Sequence, residues 1–255
     1  MIRILLVRHG ETEWNKDHRL QGHSDIPLAE SGRQQARITG AFVRAQNPQQ
    51  GYVSNLVRTQ QTFAEFGLDA EPQVVPGLAE QHLGEWEGWY GLDVRTQFPE
   101  DFEGWRAGTH TPAGGETHQE LLTRMKRSFF DIVRATAQIR PTESVDLSFP
   151  LRTAVAVSHG AALRVLLEGL KLIDRHQFIP LTPAAVTVID IPLHRGPISS
   201  TLPHSGLDEE DDAAEEARYI AGLSDEQITD LCRLRLINLS PELLNPAAAD
   251  TVAIR

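Results

Sequence analysis

The sequence predicts a three-layer α/β/α sandwich around a mostly parallel central sheet. Two largely apolar runs, Ile2 to Val7 and Thr153 to Val157, read as strands buried on both faces. Stretches with helix-start signatures follow or separate them. Each run ends on a similar polar turn, Arg8-His9-Gly10 or Ser158-His159-Gly160.

The elements follow in order. Beyond the first strand, Ser31 with Gln34 reads as a capping box opening a helix to about Gln46, before Pro48. Tyr52 and Val53 suggest a short strand. Ser54 then reads as the cap of a helix carrying Arg58 through about Phe66, with Gly67 as its stop. Gln73 to Val75 is a weak strand signal. Ala79 to Pro112, rich in Gly, Trp and Pro, reads as loops with short helical pieces. Thr117 with Glu120 is a second capping box, ahead of a long amphipathic helix to about Ile139 whose apolar positions include Leu121, Leu122, Met125, Phe129, Ile132 and Val133. A helix from Ala161 to about Leu170 follows the second buried run, and Val186 to Ile191 reads as a last strand. Arg195 to Asp225 is polar and acidic and resembles a linker. Ser224 with Gln227 is a third capping box, opening a short amphipathic helix with Leu231, Leu234 and Ile237. The expected organisation is one domain over residues 1–194, with an appendage over 195–255.

Composition sets bounds. A chain of 255 residues buries one good core. The only cysteine, Cys232, excludes an internal disulfide and reads as an inert thiol in a reducing compartment. The opening apolar run is shorter than a signal-peptide core and no stretch reaches membrane-span length, so a cytoplasmic protein without a membrane partner is expected. The net charge of −11 argues against a nucleic-acid partner, which needs a basic footprint. Much of that acidity sits in Leu207 to Glu216, so an anionic substrate would meet a locally basic pocket.

Ligand sites in open α/β sheets lie at the carboxyl ends of strands. Both His9 and His159 fall there, each followed by a glycine that lets backbone N–H groups approach an anion. Arg8 adds a fixed cation, and Arg58 sits near the start of the helix after the next strand. Arginine binds phosphate oxygens bidentately and keeps its charge. Taken alone, a strand-end histidine is more often structural, and Arg8 and Arg58 have acids such as Glu11 and Glu65 as alternative partners.

The stretch Leu6-Val7-Arg8-His9-Gly10-Glu11-Thr12-Glu13-Trp14-Asn15 resembles the signature of the histidine phosphatase superfamily, the phosphoglycerate-mutase-like proteins. Matches continue in family order through Leu20-Gln21-Gly22, Asp25-Ile26-Pro27-Leu28, Gly32-Arg33-Gln34-Gln35-Ala36, Ser54 to Thr62, Leu78-Ala79-Glu80, Gly84 to Gly88, Gly114-Gly115-Glu116 and Val157-Ser158-His159-Gly160. They span roughly residues 2 to 192. The resemblance implies a metal-independent, cofactor-free phosphomonoester hydrolase. His9 would be the nucleophile, Arg8, Arg58 and His159 the charge stabilisers, Glu80 the acid–base, and Asn15, Gln21, Gly22 and Gly160 the substrate contacts. In these roles His159 is cationic and His9 neutral, so the two titrate as a coupled pair. Glu80 must hold a proton before reaction, which a bound dianion favours.

Mutases of this type resemble one another in a longer insertion with paired arginines after the catalytic Glu. Here the insertion is compact and lacks such a pair, which looks like the phosphatase branch. A small phosphorylated substrate, such as a sugar phosphate or phosphoglycerate derivative, is therefore expected. The alternatives are a phosphoglycerate mutase and a binding module that has lost its chemistry, and retention of Glu80 speaks against the module. Trp89, Tyr90, Trp105 and Arg106 fall where a pocket cap is expected, with His23 and His82 on the rim; burial in a local core is the competing role for the aromatics. The C-terminal appendage would fold back onto the domain, mediate a homodimer or restrict entry to the pocket, and the bland reading is a solvated linker with a docked terminal helix.

Overall fold

A computed structural model describes residues 1–142, 151–174, 180–193 and 209–245, with side chains from 214 onward in the last segment. In chain order the elements are β1 (Ile2–Arg8), α1 (Glu13–Lys16), α2 (Glu30–Ala45), β2 (Gln50–Val53), α3 (Val57–Ala64), β3 (Gln73–Val74), α4 (Gly91–Gln97), α5 (Pro99–Ala107), α6 (His118–Ala137), β4 (Arg152–Ser158), α7 (Gly160–Gly169), β5 (Val186–Ile191), α8 (Glu209–Ala221), α9 (Asp225–Leu231), β6 (Arg233–Leu239) and α10 (Pro241–Leu244). The six strands form one sheet ordered β3-β2-β4-β1-β5-β6. β3, β2, β4 and β1 pair in parallel, whereas β5 is antiparallel to both neighbours.

The alternation of side chains along a strand builds the three layers. Ile2, Ile4 and Leu6 of β1 point into a cluster with Leu121, Met125 and Phe129 of α6 and Leu163, Leu166 and Leu167 of α7. Leu5 and Val7 point the other way, against Ala36 and Val43 of α2 and Phe63 of α3. Both faces of β1 are thus covered, which is why the run is apolar but for Arg3, whose buried guanidinium pairs with Asp190 of β5 at 2.8 Å. The parallel arrangement puts the ends of β1 and β4 side by side, with Arg8 paired to Ser158 in register.

The capping boxes at Thr117 and Ser224 form as expected, each hydroxyl accepting from the backbone N–H three residues on. The one at Ser31 does not. That residue lies inside α2, whose N-cap is Ala29, and its hydroxyl donates to Glu11 at 2.7 Å. Ser54 is likewise two residues short of the α3 N-cap, Leu56, where its hydroxyl accepts the Leu56 N–H.

The C-terminal region departs most from expectation. Residues 194–208, and with them the start of the expected linker, lie outside the described residues, but Glu209–Ala221 is a helix. Leu234 and Ile237 lie on β6, not on a helix. The reason is periodicity: Leu231, Leu234 and Ile237 share helical spacing, but Arg233-Leu234-Arg235-Leu236 alternates with period two, and the β5 edge supplies hydrogen-bond partners that only a strand can use. Ile220, Ile228 and Cys232 join the α6 and α7 cluster, fully or almost fully buried. Ile220 of α8 and Ile228 of α9 are therefore part of the core, and β6 is part of the sheet.

Candidate active site

Strand β1 delivers His9 to the sheet rim. Its backbone is fixed on two sides: the His9 N–H donates to Ser158 at 2.9 Å, and the Ala184 N–H donates to the His9 carbonyl at 3.1 Å. Its Nδ1 lies 2.7 Å from the Gly10 carbonyl. A carbonyl only accepts, so Nδ1 carries the proton and Nε2 presents its lone pair. Gly10 is required here by packing, since a Cβ would sit 2.4 Å from the Gly32 carbonyl oxygen of α2. The Gly10 N–H is held by Thr62 Oγ1 at 3.0 Å, tying this turn to α3.

His159 caps α7 and stands beside His9, with ring centroids 5.1 Å apart. Arg58, fully buried, donates from Nε to His159 Nδ1 at 3.2 Å. Its two other nitrogens donate to the Ser24 carbonyl at 2.9 Å and the Gly22 carbonyl at 2.7 Å. His159 Nε2 therefore holds the ring proton and faces Ser54 Oγ at 2.8 Å. Asp25 caps α3 by accepting the Val57 N–H at 2.7 Å. The segment from Gly22 to Asp25 is a clamp on Arg58 and on its helix.

Arg8 is half-buried. Its Nη1 donates to the Leu181 carbonyl, and its Nε has no partner among the described residues. A Cβ at Gly160 would approach that nitrogen to 3.3 Å, so Gly160 leaves the guanidinium room. Glu80, almost completely buried, lies at the start of α7. Its Oε2 accepts from Ala161 at 3.1 Å, and its Oε1 accepts from Ala162 and Gln81 at 2.9 Å each. A carboxylate there satisfies N–H groups that the first helical turn leaves open.

Burial, reinforced by Arg58 and then Arg8, holds His9 well below its ordinary 6.5, against the opposing Gly10 hydrogen bond. Burial also holds His159 well below that value, helped by Arg58, His9, Arg124 and Arg8. Both rings are neutral in this geometry. Arg58 donates into Nδ1 of His159, so in this geometry that nitrogen carries no proton. Burial lowers Arg58 from 12.5 to about 10, which leaves it charged at neutral pH.

Of the residues picked out from sequence, Arg8, His9, Arg58, Glu80, His159 and Gly160 meet at this rim. Gly22 enters as a carbonyl partner of Arg58, and a Cβ there would meet Glu87 Oε1 at 2.2 Å. Asn15 and Gln21 stand together on the next turn. Asn15 closes a capping box with Thr12 and donates to Gln21 Oε1 at 3.4 Å, while Gln21 Nε2 has no partner among the described residues. Trp105 donates to Gln81 at 3.0 Å and packs edge-on against Trp86, 6.0 Å between centroids, so it belongs to a small local core. Trp89, Tyr90 and Arg106 are exposed, with Arg19 stacked 4.4 Å from the Tyr90 ring centre. His23 and His82 form a rim pair 4.9 Å apart, and His23 Nε2 donates to the Glu80 carbonyl at 2.8 Å.

Sequence reasoning missed Arg124 of α6. Its guanidinium binds Glu116 at 2.6 and 2.8 Å and donates to the carbonyls of Gly77, Ala79 and Glu80 at 2.9, 2.7 and 2.7 Å. It fixes the backbone that carries Glu80. Nothing in the spacing from Glu80 to Arg124 announces this, since carbonyl acceptors are common to every residue.

Paired strand-end histidines ringed by arginines, with a buried carboxylate beside them, define an enzyme class that handles phosphate esters. The family model of the histidine phosphatase superfamily (branch 1) matches residues 4–200, and the chain belongs to that family. It is 33% identical over 184 residues to a probable phosphoglycerate mutase of Photorhabdus laumondii, covering 69% of this chain and 78% of that protein. It is 30% identical over 182 residues to a phosphoserine phosphatase of Hydrogenobacter thermophilus, covering 70% and 80%. Among solved structures, a mycobacterial glucosyl-3-phosphoglycerate phosphatase complexed with VO3 shares the fold at a TM-score of 0.72 and 23% identity, over 93% of this chain and 99% of that one. Among the described residues, no helix is long and apolar enough to cross a membrane.

Proposed function

We propose that this chain is a phosphomonoester hydrolase that forms a phosphohistidine on His9 and acts on a small phosphorylated metabolite, a sugar phosphate or phosphoglycerate derivative. The observation that carries the reading is the His9 tautomer: Nδ1–H is fixed on the Gly10 carbonyl, and Nε2 is left to attack beside Arg8, Arg58 and the second histidine.

In the first step Nε2 attacks phosphorus in line, the P–O ester bond breaks, and Glu80 gives the leaving oxygen its proton. In the second, water attacks the phosphohistidine, its proton passes to Glu80, the N–P bond breaks and orthophosphate leaves. A bound dianion beside His159 favours protonation of that ring. Arg58 Nε and His159 Nδ1, now bonded to each other, would then both donate to phosphate oxygens, joined by Arg8 and the Gly160 N–H. Asn15 and Gln21 supply further polar contacts. No metal or cofactor takes part in these steps, and we assign the enzyme to the cytoplasm, where a lone thiol is ordinary.

The mutase reading rests on the relative named for that activity. Against it stands the compact insertion after Glu80, which folds into the short α4 and α5. Hydrolysis of p-nitrophenyl phosphate in EDTA, with His9→Ala beside wild type, tests the proposal. Turnover should survive chelation and fall more than about a thousandfold in the variant. Loss of turnover on chelation overturns the metal-free chemistry. A folded wild type that hydrolyses no ester yet isomerises 3-phosphoglycerate when primed with the bisphosphate establishes the mutase.

A further inference from the structure

The loop between α7 and β5 grips the nucleophile's turn from the side opposite α3. Leu181 offers its carbonyl to Arg8 Nη1, Ala185 accepts the Arg8 N–H at 3.1 Å, and Ala184 donates to the His9 carbonyl at 3.1 Å. Ala184 holds a left-handed φ of +57°, strained for a residue with a Cβ, and Thr39 of α2 secures its carbonyl at 2.7 Å. Such a loop keeps its shape only where its surroundings determine it.

Strand β6 supplies the missing support. Between Val186 and Val188 of β5 the register shifts, with Leu239 and Leu236 as the facing residues, so β6 carries an extra residue there. Asn238 lies in this bulge with φ +53°, a conformation asparagine tolerates better than most residues. The turn aims its side chain off the strand and at the loop. Oδ1 accepts the Thr182 N–H at 2.8 Å and Nδ2 donates to the Pro180 carbonyl at 3.4 Å, while the Asn238 N–H donates to Thr187 Oγ1 at 3.3 Å. The two side-chain bonds bracket Leu181, whose carbonyl steers Arg8.

We propose that Asn238 is a positioning residue for Arg8, acting through the Leu181 carbonyl. A residue of the C-terminal strand, beyond the 4–200 span that matches the family model, thereby sets how the active-site guanidinium meets phosphate. The inference rests on the reading of Arg8 as a phosphate ligand.

Titration calorimetry with inorganic phosphate tests it, alongside p-nitrophenyl phosphate kinetics and thermal melting. Asn238→Gly keeps the left-handed backbone and removes both side-chain bonds; phosphate affinity should fall about fivefold to tenfold, with KM rising by a similar factor. Asn238→Asp, which keeps the acceptor for Thr182, should recover most of the loss. In an Arg8→Ala background Asn238→Gly should weaken phosphate no further, because the path it acts through is gone. An Asn238→Gly protein that melts lower but binds phosphate like wild type overturns the proposal, as does an equal loss in both backgrounds. A folded wild type that binds no phosphate removes the Arg8 reading and this inference together, whereas normal binding untouched by Asn238→Gly removes only the inference.

Discussion

Glu80 is held by three backbone N–H groups, yet its proposed work is to carry a proton to a departing oxygen. The need for that proton depends on the leaving group. Glu80→Gln should therefore slow hydrolysis of an alkyl phosphate by about a hundredfold to ten-thousandfold and that of p-nitrophenyl phosphate far less. Steady-state rates on both esters decide it, and equal losses would remove Glu80 from the acid role. The two neutral histidines make a second prediction, about stability. Folded, both titrate well below 6.5, so below that pH the unfolded chain binds more protons than the native one. Stability is then full above about pH 6.5 and is lost as pH falls, by up to about 1.4 kcal/mol per pH unit for each ring. Melting temperatures between pH 7 and 5 should drop by several degrees in wild type and markedly less in a His9→Asn/His159→Gln double variant. Parallel curves would mean that other groups carry the acid sensitivity. The side chains that meet at this rim were legible in the sequence because few residue types carry phosphate chemistry. The Arg58–His159 contact was not, since it joins Nδ1 to a helix 101 residues earlier.

Elements meet at glycines. Gly32 in the first turn of α2 packs so closely on the turn after β1 that a Cβ would lie 2.1 Å from the Glu11 carbonyl oxygen and 2.7 Å from its nitrogen. Gly32→Ala should cost about 1–3 kcal/mol of stability and lower activity with it, because the displaced backbone adjoins His9. Urea unfolding with parallel assays checks this; unchanged stability would show that the helix shifts freely. Strand ends and long helices were legible from periodicity and caps. Ser31 was misread because a Ser followed by Gln three residues on fits a capping box wherever a helix begins, and the true boundary is set by Glu11 drawing the hydroxyl inward. The short α4 and α5 lie in a stretch whose Gly and Pro content masks one-turn periodicity, and their small core around Trp86 forms only in three dimensions.

The C-terminal region tests the assembled protein. Cutting after Leu193 would strip the β5 edge of β6 and remove Ile220, Ile228 and Cys232 from the core. At about 1.5–3 kcal/mol for each large buried apolar side chain, the loss is comparable with the whole stability of a domain. The truncated chain should lose its cooperative melt and aggregate through the bared edge, as calorimetry and light scattering would report. An unchanged melt would return residues 209–239 to the status of decoration. Cys232 is consistent with a core role, since burial pushes its thiol up to about 12. Strand order was the least legible feature, because pairing is settled by which edge stays open after the helices dock. That order also has a consequence for biosynthesis. Strand β1, which bears the proposed nucleophile, pairs among the described residues with Arg152–Ser158 and Val186–Ile191. A growing chain therefore emerges from the ribosome with this buried strand unpaired until about three quarters of the chain is made, and slow, chaperone-dependent maturation is the expected result.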